Sequence, residues 1–67
     1  MYTASIASRA AGQILITGPN GYRNYVSTDR NPVFAVIQGD EVHVTLENGW
    51  INIHDFRTSR RIRTITG

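Results

Sequence analysis

Apolar and polar residues alternate most clearly between Val33 and Ile65, in the segment VFAVIQGDEVHVTLENGWINIHDFRTSRRIRTI. Three clusters of turn-forming residues interrupt the alternation, at Gln38-Gly39-Asp40, at Asn48-Gly49 and at Asp55 to Ser59. Alternation is typical of half-buried strands, and turn residues mark the ends of strands. The pattern therefore predicts a four-stranded antiparallel meander around which the rest of the chain is organised.

The pair Asn48-Gly49 is the strongest turn signal in this meander. A two-residue type I′ turn requires positive φ at both central positions, and Asn-Gly tolerates this best. Such a turn places Glu47 opposite Trp50. The resulting register predicts that His43 and His54 face each other on a polar face that also carries Trp50 and Asn52. The same register places the aliphatic side chains on the opposite face, namely Val42, Val44, Leu46, Ile51 and Ile53.

The chain before the meander carries two further strand-like runs, Gln13 to Thr17 and Tyr22 to Ser27. The turn Gly18-Pro19-Asn20-Gly21 separates them, since proline presets φ and Gly21 can take a left-handed conformation. Because the loop type is open, so is the register: Ile14 and Ile16 pair either with Tyr25 or with Val26.

The N-terminal residues 2–7 alternate weakly, which favours an edge strand or a disordered arm over a short helix ended by Gly12. Val33 to Ile37 is the most apolar run and is predicted to be the central strand. We therefore expect a single all-β domain over residues 1–67, with residues 1–12 as a mobile arm or edge strand. The expected fold is an antiparallel meander of five to seven short strands, forming a small barrel or a single blade-like sheet.

Length and composition narrow the possible classes of protein. The chain has 67 residues and no cysteine, so neither a disulfide nor a thiolate metal site is expected. No apolar run approaches the roughly 20 residues that a membrane helix needs, and the N-terminus lacks the features of a signal peptide. The interpretation is a cytoplasmic protein without membrane association. So short a chain buries only a small core, which favours a homo-oligomer, most simply a dimer.

Residues 39–65 resemble the last three strands of a WD-repeat propeller blade. Ile53-His54-Asp55 stands where that family has an aromatic-Asp pair, with His54 in place of tryptophan. Ser59 occupies the position of the usual turn glycine, and Arg63-Thr64-Ile65 closes the last strand. The resemblance implies a blade-like meander that serves as a protein-binding scaffold without enzyme activity. Since the family builds closed rings of typically 4–8 blades, the chain holds at most one blade.

The predicted His43–His54 pair is the one candidate for metal chemistry. Facing Cβ atoms in such a pair lie roughly 4.5–5.5 Å apart, so two imidazoles can share an ion. Zinc, however, takes three or four protein ligands, and the neighbouring Glu41 and Thr45 add at most one weak ligand. We therefore predict no metal and no cofactor, and interpret the pair as part of a solvated or interface face.

The same face contains the candidates for protein binding. Trp50 is interpreted either as an interface anchor or as a cover for a second layer of its own fold. The predicted interface residues are Trp50, His43, His54, Asn52 and Tyr25.

The basic residues of the chain support an alternative partner. All seven are arginine, and four of them lie in the last turn and strand: Arg57, Arg60, Arg61 and Arg63. With nearby aromatic side chains they can form a nucleic-acid-binding surface. The competing interpretation is an edge strand on which charge blocks unwanted pairing. The formal net charge of +2 is small for a protein whose main contact is phosphate.

No Ser-His-Asp spacing, phosphate-binding loop or paired acid constellation is present in the sequence, so an enzyme is not expected. The leading hypothesis is a non-catalytic protein–protein interaction or assembly module. Its expected dimer interface includes Trp50 or the strand from Val33 to Ile37. The alternative is a nucleic-acid-binding small β-barrel that uses the arginine-rich C-terminal hairpin.

Overall fold

The structure, a computed structural model, describes residues 1–66 and contains seven strands. They are β1 (Thr3–Ser8), β2 (Gln13–Thr17), β3 (Arg23–Ser27), β4 (Pro32–Gln38), β5 (Glu41–Leu46), β6 (Ile51–Asp55) and β7 (Arg61–Ile65). A single 3-10 turn, Pro19–Gly21, connects β2 to β3. Within residues 1–66, no helix has the length and apolar character that crossing a lipid bilayer requires.

The strands form two antiparallel sheets, one in the order β1-β2-β3 and one in the order β4-β5-β6-β7, and the sheets do not close into a barrel. The predicted all-β class is confirmed, and so is the four-stranded meander. The N-terminal segment forms an edge strand, β1, of the three-stranded sheet. In the β2–β3 hairpin Ile14 pairs with Val26 and Ile16 pairs with Asn24, which resolves the register that the sequence left open.

The core lies between the inner faces of the two sheets. Its fully or nearly fully buried members are Ile14, Ile16, Val26, Val42, Val44, Leu46 and Phe56. Phe56 comes from the turn after β6 and packs on an aromatic cluster with Tyr2 and Tyr22. The ring centroids of Tyr2 and Phe56 lie 4.8 Å apart, and those of Tyr2 and Tyr22 lie 5.2 Å apart. This cluster links the N-terminus, the first hairpin and the second sheet.

The prediction that Val33 to Ile37 is the central strand is wrong. These residues belong to β4, which among the described strands pairs with β5 alone and lies at the edge of its sheet. Ala35 and Ile37 pack against the core, whereas Val33, Phe34 and Val36 are exposed. An apolar run predicts a buried strand only when a layer covers both of its faces, and no layer within residues 1–66 covers the outer face of β4.

The predicted type I′ turn at Asn48-Gly49 is also wrong. Only Gly49 has a positive φ, of 91°, and Asn48 does not. The amide of Gly49 donates to the carbonyl of Leu46 (3.0 Å), and the amide of Leu46 donates to the carbonyl of Trp50 (2.8 Å). These bonds define a three-residue loop, a type I turn followed by a left-handed glycine. The side chain of Asn48 reinforces it, because its Oδ1 accepts from the amide of Trp50 at 2.9 Å.

The longer loop shifts the β5–β6 register by one residue from the predicted one. Val42 pairs with His54, His43 with Ile53, and Val44 with Asn52. Because neighbouring residues in a strand point to opposite faces, the shift exchanges the two faces of β6. Asn52 and His54 enter the core side, and Ile51 and Ile53 lie on the outer side.

Candidate interaction surfaces

The outer face of the four-stranded sheet carries two rows of residues defined by the strand register. One row contains Phe34, Thr45, Ile51 and Ile65, and the other contains Val36, His43, Ile53 and Arg63. We call these eight residues the outer face. Five of the eight are large and apolar, which is unusual for the solvent side of a sheet.

Exposure differs between the middle and the edges of the outer face. Phe34 on β4 is 60% exposed and Ile65 on β7 is 46% exposed, so the two edge strands present apolar side chains to solvent. Ile53, in contrast, is fully buried although it lies on the same face. It belongs to an interior strand and stands between His43 and Arg63 in its row, and we attribute its burial to these neighbours.

His43 is the one histidine on the outer face, and the predicted pairing of His43 with His54 is wrong. The Nε2 atom of His43 lies 3.1 Å from the Oε1 atom of Glu41, and the imidazole is partly buried. The two histidines lie on opposite faces of the sheet, so they cannot share a metal ion. Among residues 1–66, no three His, Asp or Glu side chains come together as metal ligands would.

Asn52, predicted on a polar outer face, is fully buried on the inner side. Its Nδ2 donates to the Oγ1 of Thr28 (2.8 Å) and to the Oδ2 of Asp29 (3.1 Å). Its Oδ1 accepts from the Oγ1 of Thr64 (2.8 Å). Both N–H groups and the oxygen of the Asn52 side chain are therefore used in hydrogen bonds within the fold. Asn52 links the segment before β4 to β7, and it has no polar group left to bind a partner.

His54 belongs to the same buried network and is only 3% exposed. Its Nδ1 must donate to the carbonyl of Ser59 (3.2 Å), because a carbonyl only accepts. In the neutral ring Nε2 then accepts from the hydroxyl of Thr28 (3.1 Å). Burial lowers the pKa of His54, and nearby Arg61 lowers it further, against the opposing effects of the Ser59 carbonyl and Asp29. The neutral ring is therefore the form that the fold accommodates.

Trp50 lies at the end of the sandwich and is 41% exposed. The hydrogen bond from the Leu46 amide places Trp50 opposite Leu46, away from His43. Trp50 borders a cleft of about 350 Å³ between the β3–β4 and β5–β6 loops. The other residues of the cleft are Asp29, Arg30, Asn31, Leu46, Glu47 and Asn48.

Tyr25 lies on the opposite side of the molecule from the outer face. It pairs with Leu15 on the outer side of the three-stranded sheet and is 45% exposed. The five predicted interface residues are therefore not one site. Trp50 and Tyr25 are accessible at separate places, His43 is on the outer face, and Asn52 and His54 are buried.

The four C-terminal arginines also differ in their surroundings. The Nη1 atom of Arg57 lies 3.4 Å from the Oδ1 atom of Asp40, and the guanidinium group stacks over the ring of Phe56. The Nη1 atom of Arg61 lies 3.6 Å from the Oδ2 atom of Asp29. Arg60 and Arg63 are exposed and have no carboxylate partner among residues 1–66. Of the four C-terminal arginines, the two without a carboxylate partner in the described residues are therefore Arg63 on β7 and Arg60 directly before it.

Comparison with protein families, with curated proteins and with solved structures gives no significant match. The resemblance of residues 39–65 to a WD-repeat blade consequently stays a prediction.

The sequence interpretation missed the outer face, because it assigned Ile51 and Ile53 to the core. The polar residues of β6 nevertheless carried a signal that could have indicated which of its faces is buried. Asn52 and His54 both have hydrogen-bonding capacity that Thr28, Asp29 and Thr64 can satisfy. Asn-Gly also fits a three-residue loop, in which only the glycine takes a positive φ.

Proposed function

We propose that this chain is a non-catalytic protein–protein interaction and assembly module whose contact surface is the outer face. The observation that carries the proposal is the exposure of Phe34 and Ile65 on a face that also contains Val36, Ile51 and Ile53. Monomeric soluble proteins rarely leave contiguous apolar patches of more than a few hundred Å² open to water. A partner that covers this face removes that cost.

The proposed occupant is a second copy of the chain. A two-fold axis along the strands places β4 of one copy over β7 of the other, because such an axis exchanges the two edges of the sheet. It brings Arg63 of each copy towards the Glu41–His43 pair of its partner, so opposite charges meet at both ends of an apolar centre. This charge arrangement favours a symmetric dimer, in agreement with the expectation from the small core.

Light scattering coupled to size-exclusion chromatography at high micromolar concentration tests the proposal. We expect a mass of twice the 7.5 kDa chain. Phe34→Glu places a charge in the contact and should give the monomer mass. Tyr25→Glu is the matched control, because Tyr25 is a similarly exposed aromatic residue on the other sheet, and it should stay dimeric.

Circular dichroism should show that both variants are folded. A parent protein that elutes at 7.5 kDa refutes the dimer. A parent dimer that Tyr25→Glu dissociates, while Phe34→Glu does not, refutes the assignment of the outer face.

The alternative function is nucleic-acid binding through the C-terminal arginines. The specific observation in its favour is that Arg60 and Arg63 are exposed and have no carboxylate partner in the part of the chain that the structure describes. Against it, Arg57 and Arg61 are already close to Asp40 and Asp29. Fluorescence polarisation with short DNA and RNA separates the two functions, because phosphate binding weakens by orders of magnitude between low and moderate salt.

A further inference from the structure

The edges of the two sheets differ in how far the rest of the chain covers them. β1 and β4 lie edge to edge, and the amide of Asn31 joins this seam to the carbonyl of Arg9 at 2.8 Å. The β3 edge is engaged at Tyr25, whose carbonyl accepts from the hydroxyl of Ser59 at 2.8 Å. In the described residues β7 pairs only with β6, and four of its five residues are exposed. β7 is therefore the most accessible edge.

The charge of this edge is basic. Arg61 and Arg63 are part of β7, and Arg60 directly precedes it. The nearby carboxylates offset this charge only in part. Asp29 lies 3.6 Å from Arg61, and Asp55 accepts at Oδ1 from the amides of Arg57 and Thr58. A strand that pairs with β7 consequently meets arginine side chains on both faces of the sheet, with Arg63 on the outer face and Arg61 on the inner side opposite His54.

These arginines disfavour pairing between two copies of β7. An antiparallel two-fold pairing centred on Arg63 places the arginine of one copy opposite that of the other. Like charges directly opposite each other destabilise a strand pair, and charged side chains protect natural sheet edges in this way. A strand with carboxylates at the facing positions replaces this repulsion by attraction.

We propose that β7 binds an extended acidic segment of a partner protein by β-strand addition. The backbone of the segment pairs with the accessible amides and carbonyls of β7, and its carboxylates contact Arg60, Arg61 and Arg63. In this mode the main chain supplies affinity, and side chains supply selectivity. The pairing groups lie on the edge of the sheet, and Arg63 is the one outer-face residue that the segment also contacts.

Fluorescence polarisation with a labelled peptide of about seven alternating Glu and Val residues tests the proposal, since this length spans the five residues of β7. The full chain should bind this peptide and not a Lys/Val peptide of the same length. Two further peptides are methylated on backbone nitrogens. One is methylated at every Glu, and the other at every Val. Because alternate amides of a strand point to opposite sides, only one of these two peptides should lose binding.

The variant Arg63→Glu should weaken binding of the Glu/Val peptide by about tenfold, an effect of the size expected when an opposite-charge pair becomes a like-charge pair. Arg23→Glu is the matched control, an exposed arginine on β3 of the other sheet, and should bind as the parent does. Phe34→Glu should also bind the peptide unchanged, which separates this proposal from the dimer.

Three outcomes overturn the proposal. The first is no binding of the Glu/Val peptide. The second is equal binding of both N-methylated peptides, which indicates charge attraction without strand pairing. The third is displacement of the peptide by single-stranded DNA of equal charge at lower concentration, which assigns the edge to nucleic acid.

Discussion

At the scale of single residues, the buried polar pair on β6 determines which face of the strand is the core. Asn52 and His54 are buried because Thr28, Asp29, Thr64 and the Ser59 carbonyl satisfy their hydrogen-bonding atoms. A polar group buried without partners costs about 1–3 kcal/mol, and one with partners does not. By hydrophobicity alone, Ile53 is a better core residue than Asn52. The core face of β6 can therefore be assigned correctly only when the hydrogen-bond partners of Asn52 and His54, which come from distant parts of the chain, are known.

The lowered pKa of His54 predicts a loss of stability in mild acid. The unfolded chain binds a proton near the ordinary pKa of 6.5, whereas the folded chain binds it only at lower pH. Between these two values the unfolded state holds more protons, so the free energy of unfolding falls as the pH falls from about 6.5 through the folded pKa. Below the folded pKa this contribution stays constant.

Urea unfolding between about pH 7 and pH 5 measures this loss, and NMR titration assigns it to the ring of His54. The carboxylate of Asp55 also has a lowered pKa, because the amides of Arg57 and Thr58 bond to it, but it affects stability only near and below 3.8. His54→Gln should remove most of the pH dependence above 5, and His43→Gln should not. A His54 ring that titrates at or above 6.5 contradicts the prediction.

At the scale of the elements, the positions of the strands were predictable and the pairing of β5 with β6 was not. Alternation and turn residues locate all four strands of the meander from Pro32 to Ile65. The register depends on whether the loop has two or three residues, and Asn48-Gly49 is compatible with both. The error of one residue reversed β6, and it hid the apolar outer face.

The three-residue loop predicts unequal effects at Asn48 and at Gly49, its second and third residues. Gly49 has φ of 91°, so Gly49→Val should destabilise the fold by about 1–3 kcal/mol through backbone strain. Asn48→Ala should cost only about 0.5–1.5 kcal/mol, because Asn48 has no positive φ and loses just the bond from the Trp50 amide. Denaturant midpoints at unchanged m-value give both numbers. Equally large losses at the two positions would contradict the three-residue loop, because they would require a positive φ at Asn48 as well.

At the scale of the whole molecule, the two sheets depend on aromatic contacts that periodicity does not show. Tyr2 stands at the start of the weak alternation over residues 2–7 and Phe56 lies in the turn after β6, yet their rings lie 4.8 Å apart. Gly18 makes this packing possible. A Cβ at Gly18 would lie 2.5 Å from Cδ1 and 2.6 Å from Cε1 of Tyr2.

This close approach predicts a measurable coupling between Gly18 and Tyr2. Gly18 has an extended backbone with φ of −157°, so alanine there is opposed by the Tyr2 ring and not by backbone strain. Gly18→Ala should therefore destabilise the parent, by about 1–3 kcal/mol as expected for overpacking. In the Tyr2→Ala background the same substitution should cost much less, because the obstructing ring is absent. A double-mutant cycle from urea midpoints should give a coupling of about 0.5–3 kcal/mol. Additive effects of the two substitutions would show that the N-terminus does not pack over Gly18, and that the link between the sheets lies elsewhere.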